Sequence, residues 1–226
     1  MAELIAFKSI FSHPFGYVNF GEKTRELNKR LISDINEEMS KSEGKTRTFC
    51  KNDCAWQSTL GMEKRYDSFN ILRTLIDDAS RPILEHSRMK PYNVRTENLW
   101  ANKAFASGGY SAPHFHGGGT TLWTGVYYPK GIQQEENNLD EFNEDDYINL
   151  DHQKGDGLLI LIDPSKALKG LVKGEYMTKE FYGSEITITP RESLLLLFPV
   201  WITHMVTPLT TNTDRYSISF GINKNK

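Results

Sequence analysis

The chain has 226 residues, of which 38% are hydrophobic, 25% charged and 12% aromatic, a composition typical of one folded domain that excludes a wholly disordered chain. Its 27 lysine and arginine residues nearly balance 29 aspartate and glutamate residues, for a net charge of -2, so no global basic field is present to hold a nucleic acid or an anionic membrane. The longest uncharged apolar stretch, Leu194 to Phe198, is far shorter than the roughly 20 residues that cross a bilayer, and we expect no membrane partner.

Two helical patterns occupy the first third of the chain. Apolar residues recur at helical spacing from Glu22 to Met39 and again from Tyr66 to Ile83, with polar residues on the opposite face. We expect Pro82 to kink or end the second helix near its last turn. The apolar stripes need a partner surface, which predicts that both helices back a sheet.

The N-terminus and the cysteines bear on the cellular location. Met1 to Phe11 lacks the basic region, apolar core and cleavage site of a signal peptide. Cys50 and Cys54 are the two cysteines of the chain, too few for a disulfide-stapled secreted fold, and we expect them to be reduced thiols. Together these features predict a cytoplasmic protein.

After Pro91 the sequence becomes rich in aromatic and β-branched residues separated by glycine and proline. Short apolar runs predict strands at Asn93–Trp100, Thr120–Tyr128, Leu158–Ile162, Ser184–Thr189, Leu194–Phe198 and Arg215–Ile222. Strands without intervening helices favour an antiparallel sandwich or jelly roll. We therefore predict a mainly β fold with N-terminal helices, as one domain over residues 1–226, with a helical support region at 1–90 and a jelly-roll core at 91–226.

Two long connections interrupt the strands. Gly131 to Gly155 is strongly acidic, and Ser165 to Lys179 carries several lysines. Connections of this length are often binding loops or lids, whereas charge runs are more often solvated faces. We expect solvated loops and keep a lid over a site as the alternative.

A pair of histidines is the first candidate for chemistry. His114 and His116 are separated by one residue in the segment Ser111-Ala-Pro-His-Phe-His116. In an extended strand alternate side chains point to one face, so both imidazoles can reach the same metal ion. The glycines that follow leave space beside such an ion for an exchangeable ligand.

A third metal ligand is predicted at His204, just beyond the most apolar strand. Alone, this residue would be interpreted as an ordinary core histidine. In jelly rolls, however, a ligand pair early in the strand order and a single ligand near the end meet inside the barrel, so the long separation along the chain is expected.

The last strand carries a candidate anion site. Alternation puts Arg215, Ser217 and Ser219 on one face and the apolar residues on the other. An inward guanidinium needs an anion, and arginine pairs with a carboxylate through two hydrogen bonds, beside which Ser217 adds a hydroxyl. Metal ligands and this arginine together fit a keto acid that chelates iron at one end and meets Arg215 at the other.

These motifs resemble the iron- and 2-oxoglutarate-dependent oxygenases, in particular the small oxygenases of marine bacteria and their phages. The resemblance runs in order over most of the chain and is carried by Trp56-Gln-Ser58, Trp100-Ala-Asn102, Pro113-His114-Phe-His116, Thr124-Gly-Val-Tyr-Tyr128, Asp163-Pro164, Leu197-Phe-Pro199 followed by His204, and Arg215-Tyr-Ser217.

The resemblance implies a double-stranded β-helix, that is, a cupin-like jelly roll, with helices packed on one sheet. It implies Fe(II) as the metal, 2-oxoglutarate as the cosubstrate and O2 as the oxidant. The expected reaction is hydroxylation of a C–H bond with release of succinate and CO2. A phage gene would place the protein in the host cytoplasm.

One position departs from the family pattern. The usual triad is two histidines and one carboxylate, with the carboxylate two residues after the first histidine, where this chain has His116. Either His116 replaces the carboxylate, or a carboxylate enters from elsewhere, with Asp156 and Asp163 as candidates. We expect His114, His116 and His204 as the ligands.

The strand from Leu122 to Tyr128 commonly lines the cosubstrate pocket in this family. Tyr127 and Tyr128 point to opposite faces, so only one of them can do so, and we assign this role to Tyr128 beside Arg215 and Ser217. Trp123 is expected in the core.

Two alternatives to this function are open: a three-histidine cupin-like dioxygenase that uses no keto acid, and a non-catalytic jelly-roll binding or structural protein. The primary substrate, whether a protein, a peptide or a small metabolite, cannot be derived from the sequence, and neither can the oligomeric state. By analogy alone we favour a protein or peptide side chain.

Overall fold

The computed structural model of the chain describes residues 13–41, 54–86, 94–116, 119–132, 138–149, 155–165 and 185–224. Both amphipathic patterns form helices. A 3-10 turn at Gly21–Thr24 leads into helix α1, Arg25–Lys41, and a second turn at Met62–Lys64 precedes helix α2, Asp67–His86. The predicted helices are thus confirmed, with ends displaced by one to three residues.

Pro82 lies inside α2, which continues to His86. The proline thus lies close to the last turn of the helix, as expected, but the helix does not stop at it. The turn after it is held by packing, because Leu84 is fully buried and Ile83 lies so close to Gly16 that a Cβ at that glycine would meet it at 2.6 Å. Burial of these side chains offsets the backbone hydrogen bond that proline cannot make.

The strands confirm the predicted β core and add short segments that were not predicted. They are β1 Gly16–Asn19, β2 Ala55–Gln57, β3 Val94–Ala104, β4 Ser111–His114, β5 Thr121–Tyr127, β6 Ile148–Asn149, β7 Leu159–Ile162, β8 Glu185–Ile188, β9 Leu194–Pro199, β10 Thr203–Val206 and β11 Arg215–Lys224, with a short helix α3 at Glu144–Tyr147. β1 and β2 belong to the sheet, so the region 1–90 is more than the helical support that was predicted.

Within the described residues, the strands form two antiparallel sheets. The first has six strands in the order β1-β9-β5-β11-β3-β2, and the second has five in the order β4-β10-β7-β8-β6. All of the strand pairs are antiparallel. This is the predicted jelly-roll arrangement, and β2 and β4 are each an edge strand of their sheet.

The first sheet is covered on both faces. Side chains from α1 and α2, among them Leu31 and Leu72, pack on one face with Trp123, while Val126 and Phe198 pack on the other against the second sheet. This explains the unbroken apolar run of β9, because successive leucines enter the two cores in turn. The prediction that the helices back a sheet is confirmed.

The acidic connection is partly described, over residues 131–132, 138–149 and the single Gly155. Arg191, nearly fully buried, donates to the Glu141 carbonyl at 2.5 Å and lies over the rings of Phe142 and Tyr147. The described stretch 138–149 therefore packs on the body of the protein, and none of its residues lines the cavity described below. Of the lysine-bearing connection, residues 166–179 lie outside the described residues.

Cys54 is disulfide-bonded, so the expectation of two reduced thiols is wrong for this residue. Cys50 lies outside the described residues. Among the helices of the described residues, none has the length and apolar character needed to span a membrane.

Candidate active site

His114 and His204 face each other across neighbouring strands. His114 ends β4 and His204 lies in β10, where the two are direct partners in the antiparallel register. Their ring centroids are 4.3 Å apart. Directly opposed residues of an antiparallel pair project to the same face, so the fold brings these distant residues together as the sequence predicted.

His116 completes the group from just beyond the end of β4. Its amide N–H donates to the carbonyl of Val200 at 3.0 Å, which fixes the backbone there. Its ring centroid lies 5.3 Å from that of His114 and 5.0 Å from that of His204. One nitrogen of each ring lies within 4.8 Å of the others, so the three imidazoles could hold a single metal ion.

Backbone carbonyls orient two of these rings. The Nδ1 atom of His114 lies 2.8 Å from the carbonyl of Ala112, and Nδ1 of His204 lies 3.1 Å from the carbonyl of Ile202. A carbonyl only accepts, so Nδ1 carries the proton in both rings and Nε2 keeps its lone pair. This is the tautomer and the outer-shell support that a metal-binding histidine needs.

The environment keeps His204 neutral. Its side chain is buried, and burial, followed by the nearby His114, lowers the pKa of His204 from 6.5 to about 3. A protonated imidazole cannot bind a metal ion, so this ring is in its ligating form across the neutral pH range.

Neither alternative carboxylate ligand belongs to the group, which contains histidines alone among the described residues. Asp156 accepts a hydrogen bond from the hydroxyl of Thr210. Asp163 accepts from the backbone N–H of Ser165 at 2.7 Å and from its hydroxyl at 2.6 Å, as in an Asx turn. The alternative in which either residue supplies the third ligand is therefore wrong.

Arg215 lines the same cavity as the three histidines. It is 7% exposed, and its Nε atom is buried without a hydrogen-bond partner. The preceding residue, Asp214, pairs instead with Lys103 at 3.2 Å. Among the described residues, no carboxylate forms an ion pair with Arg215. A buried cation without a counter-ion is costly, so an anionic ligand at this position would stabilise the guanidinium.

Of the two adjacent tyrosines, Tyr128 is the one that lines this cavity. Its ring lies 5.6 Å from the guanidinium carbon of Arg215, and its fully buried hydroxyl has no hydrogen-bond partner. Burial raises the pKa of Tyr128 above its usual value, against a smaller opposing effect of Arg215, so the hydroxyl stays a donor. Tyr127 points into the helix-facing core, where its hydroxyl donates to Asn28 at 2.5 Å.

The site surrounds a cavity of about 380 Å³ that is lined by residues of both sheets. Arg215, Ser217 and Ser219 line it, whereas Tyr216, Ile218 and Phe220 enter the helix-facing core. The predicted alternation in β11 is thus confirmed. The three histidines and Tyr128 also line the cavity, so all six candidate site residues border one space.

A family model described as "Putative 2OG-Fe(II) oxygenase" matches residues 98–221, more than half of the chain. The chain belongs to this family. It is a 2-oxoglutarate- and Fe(II)-dependent oxygenase, which confirms the predicted class of enzyme and its cofactors, and its two sheets form the predicted double-stranded β-helix. No curated protein shows a significant match to the chain.

Solved structures share the fold at low sequence identity. The 2-oxoglutarate-dependent epimerase SnoN from nogalamycin biosynthesis is 13% identical with a TM-score of 0.63, covering 94% of this chain and 77% of its own. A prolyl-4-hydroxylase from Pseudomonas putida is 12% identical with a TM-score of 0.60, covering 95% of both chains. HygX from Streptomyces hygroscopicus, solved with nickel and 2-oxoglutarate, is 13% identical with a TM-score of 0.56, covering 94% and 83%.

Sequence reasoning missed part of this oxygenase's cavity wall. Gln57, Trp100 and Asn102 line the cavity, and the Asn102 side chain donates at 3.1 Å to the hydroxyl of Ser219, which the alternation of β11 had already placed on this face. The three missed residues lie in motifs that carried the family resemblance, and that signal could have identified them.

Proposed function

We propose that the chain hydroxylates a C–H bond of a peptide or small-molecule substrate, with Fe(II) held by His114, His116 and His204. The observation that carries the proposal is the pairing, on one cavity, of three clustered imidazoles with a buried guanidinium that has no acidic partner. The first suits a divalent metal and the second suits a carboxylate, the two ends of the cosubstrate.

In this proposal Arg215 binds the carboxylate of 2-oxoglutarate that is remote from the metal. Its guanidinium offers paired donors, and the hydroxyls of Ser217 and Tyr128 line the same end of the cavity. The unpartnered Nε of Arg215 and hydroxyl of Tyr128 fit this role, because each gains a hydrogen bond that the free protein lacks. Binding at this end orients the keto acid toward the histidines.

Iron held by His114, His116 and His204 would supply the activation of O2, the chemistry by which one oxygen atom becomes a hydroxyl group on the substrate carbon and the other becomes part of succinate as 2-oxoglutarate loses CO2. The protein orients the reacting groups and excludes water from them. Val126, Leu159, Phe198 and Val206 line the cavity beside the histidines, so the reacting groups meet with little competing water.

The all-histidine ligand set has an electrostatic consequence. With three neutral imidazoles as ligands, the metal site keeps the full +2 charge of a divalent ion, whereas the carboxylate of the usual triad lowers that charge by one. A dianionic cosubstrate offsets that charge when bound. The ligand set alone would also suit a three-histidine dioxygenase that uses no keto acid. The family of this chain and the presence of Arg215, which only a keto-acid enzyme needs, both favour the keto-acid reaction.

Anaerobic titration of the Fe(II)-loaded protein with 2-oxoglutarate tests the first proposal. We expect a visible charge-transfer band and, in air, succinate release that His204→Ala abolishes. Iron binding without the band, together with turnover that does not depend on 2-oxoglutarate, would contradict the proposal. His13→Ala, which removes an exposed histidine outside the group, is the matched control and should behave as the parent.

The cytoplasmic location is a further part of the proposal, and the disulfide at Cys54 opposes it, since disulfides are rare in reducing compartments. Rapid alkylation of the protein in its native cells, followed by mass spectrometry, measures the thiol state. Two alkylated cysteines would support the cytoplasm, and a preserved disulfide would exclude it.

A further inference from the structure

A second cavity opens beside the histidines. It has a volume of about 370 Å³ and shares His116, Trp100, Phe115, Thr124 and Gln57 with the cavity that holds Arg215. No Asp, Glu, Lys or Arg among the described residues lines it. A charged substrate group would lose water here without gaining a counter-ion. The cavity therefore suits an uncharged group.

The wall of this cavity carries amide groups that are not engaged. The side-chain amides of Gln57 and Asn98 make no hydrogen bond among the described residues. Asn98 has a φ of 58° where the β3–β11 register shifts. Such strained positions and bulges cluster beside functional sites, where they redirect side chains. An amide offers both a donor and an acceptor, the pair that a peptide group also presents.

The edge strand β2 adds backbone groups to this wall. In its ladder with β3, the Cys54 carbonyl accepts from Phe105, and the Ser58 N–H donates to the Ala101 carbonyl at 3.0 Å. In an antiparallel pair alternate residues turn their backbone groups outward. The N–H and C=O of Ala55 and Gln57 thus point away from β3, at an edge where no other described strand pairs.

The rim of the two cavities is apolar. Among the described residues, five large hydrophobic side chains are exposed, and three of them, Leu60, Tyr110 and Phe115, line these cavities. Phe115 is 63% exposed. A concentration of exposed apolar side chains around a cavity opening is typical of a surface that binds a partner.

We propose that the primary substrate is an extended peptide segment that pairs with the free edge of β2 and presents an uncharged side chain to the metal site. An added strand continues the first sheet, so every second side chain faces the same way as Gln57 and Asn102, into the cavity. The apolar rim would cover the flanking residues. This inference rests on the proposed function, which supplies the oxidation.

The test uses libraries of short peptides capped at both ends, each with one defined central residue and random flanks, incubated with the iron- and 2-oxoglutarate-loaded protein in air. We expect mass spectrometry to show gain of one oxygen atom in libraries with uncharged central residues and none in those with Asp, Glu, Lys or Arg. A panel of free neutral metabolites is assayed in parallel. Oxidation of metabolites but not of peptides would overturn the proposal.

A backbone variant tests the strand pairing itself. Ala55→Pro removes one outward N–H and leaves the β2–β3 ladder intact, because that N–H takes no part in it. We expect the Kd of a labelled substrate peptide, one that the parent oxidises in the library assay, to rise about tenfold. The Kd is measured by fluorescence anisotropy without O2, in the presence of Mn(II) and 2-oxoglutarate. Ala55→Ser keeps the N–H and is the matched control for the change of side chain.

Equal peptide affinity of Ala55→Pro and Ala55→Ser would overturn the strand pairing. Thermal melting of both variants shows whether a loss of affinity comes from misfolding; if Ala55→Pro is unfolded, Gln57→Ala replaces it and should lower peptide affinity by a similar factor. The anaerobic 2-oxoglutarate titration contains no peptide. Absence of the charge-transfer band in that titration would contradict the proposed function. If the band appears but no peptide is oxidised, only this inference is contradicted.

Discussion

Asp214 forms its ion pair with Lys103, at 3.2 Å, and not with Arg215, the residue that follows it in the chain. Because Lys103 engages this carboxylate on the helix-facing side of the sheet, Arg215 can face the cavity without an acidic partner among the described residues. The fold thereby keeps a buried positive charge ready for an anionic ligand.

Loss of that charge should weaken cosubstrate binding. We expect Arg215→Ala to raise the 2-oxoglutarate concentration needed for half-maximal succinate release at least about 100-fold, because charged hydrogen bonds contribute roughly 1.5–3 kcal/mol each. Arg215→Lys should be intermediate, since lysine lacks the planar pair of donors. Lys224→Ala removes an exposed positive charge from the same strand and is the control. An unchanged requirement in Arg215→Ala would contradict the assignment.

The two adjacent tyrosines make a matched pair of tests. Tyr128→Phe removes a buried hydroxyl that has no partner, so the free energy of unfolding should hold or rise by about 1 kcal/mol, while 2-oxoglutarate affinity falls about tenfold. Tyr127→Phe removes a hydroxyl that donates to Asn28, so stability should fall by about 1 kcal/mol with affinity unchanged. Urea unfolding and anaerobic titration measure the two effects, and the opposite pattern would refute the roles given to these residues.

The third ligand can be tested by metal affinity alone. We expect His116→Ala to weaken Fe(II) binding at least about 100-fold, since even changes behind the ligands cost roughly 10- to 100-fold. His116→Asp should retain the metal, because a carboxylate at this position restores the usual triad. Competition with a chelator under argon gives both constants. Parent-like affinity in His116→Ala would remove His116 from the ligand set.

Acid should destabilise the metal-free protein through His204. The unfolded chain binds a proton at this residue near pH 6.5, whereas the folded protein does so only near its lowered pKa of about 3. Stability is therefore full above about pH 6.5 and falls below it, by at most about 1.4 kcal/mol per pH unit. Urea unfolding at several pH values should show this slope in the parent and in His13→Gln, and a smaller one in His204→Gln. Equal slopes in all three would contradict the burial of a neutral His204.

How far the sequence predicts this fold depends on the length of each pattern. The alternation of β11 and the helical spacing of α1 repeat often enough to be recognised, and the histidine pair needs only that its two side chains share one direction. β2 and β4 have only three and four residues, too few to show a periodicity in the sequence. They are strands because they pair with β3 and β10. Pro82 shows the same limit, because the packing of Leu84 that carries the helix past it involves distant residues.

The sequence predicts the third metal ligand only as one of several candidate residues. Sequence spacing placed His116 and the carboxylates of Asp156 and Asp163 in competition, since proximity in space cannot be obtained from chain position. The hydroxyl of Thr210, 54 residues away along the chain, engages Asp156, and a local turn at Ser165 engages Asp163. Both contacts depend on loop conformations that short polar segments do not specify.

β4 carries His114, and among the described strands it pairs only with β10. A metal ion that ties His114 to His204 would therefore fasten this outer strand to its neighbour at the point where their register is already irregular. Iron would then have a structural role as well as a catalytic one, because it would stabilise the pairing of β4 with β10. Amide hydrogen exchange in β4 should therefore slow when the metal is added. Without iron, the part of the cavity wall that β4 forms would be held less firmly, so the metal would support the shape of the site as well as the reaction.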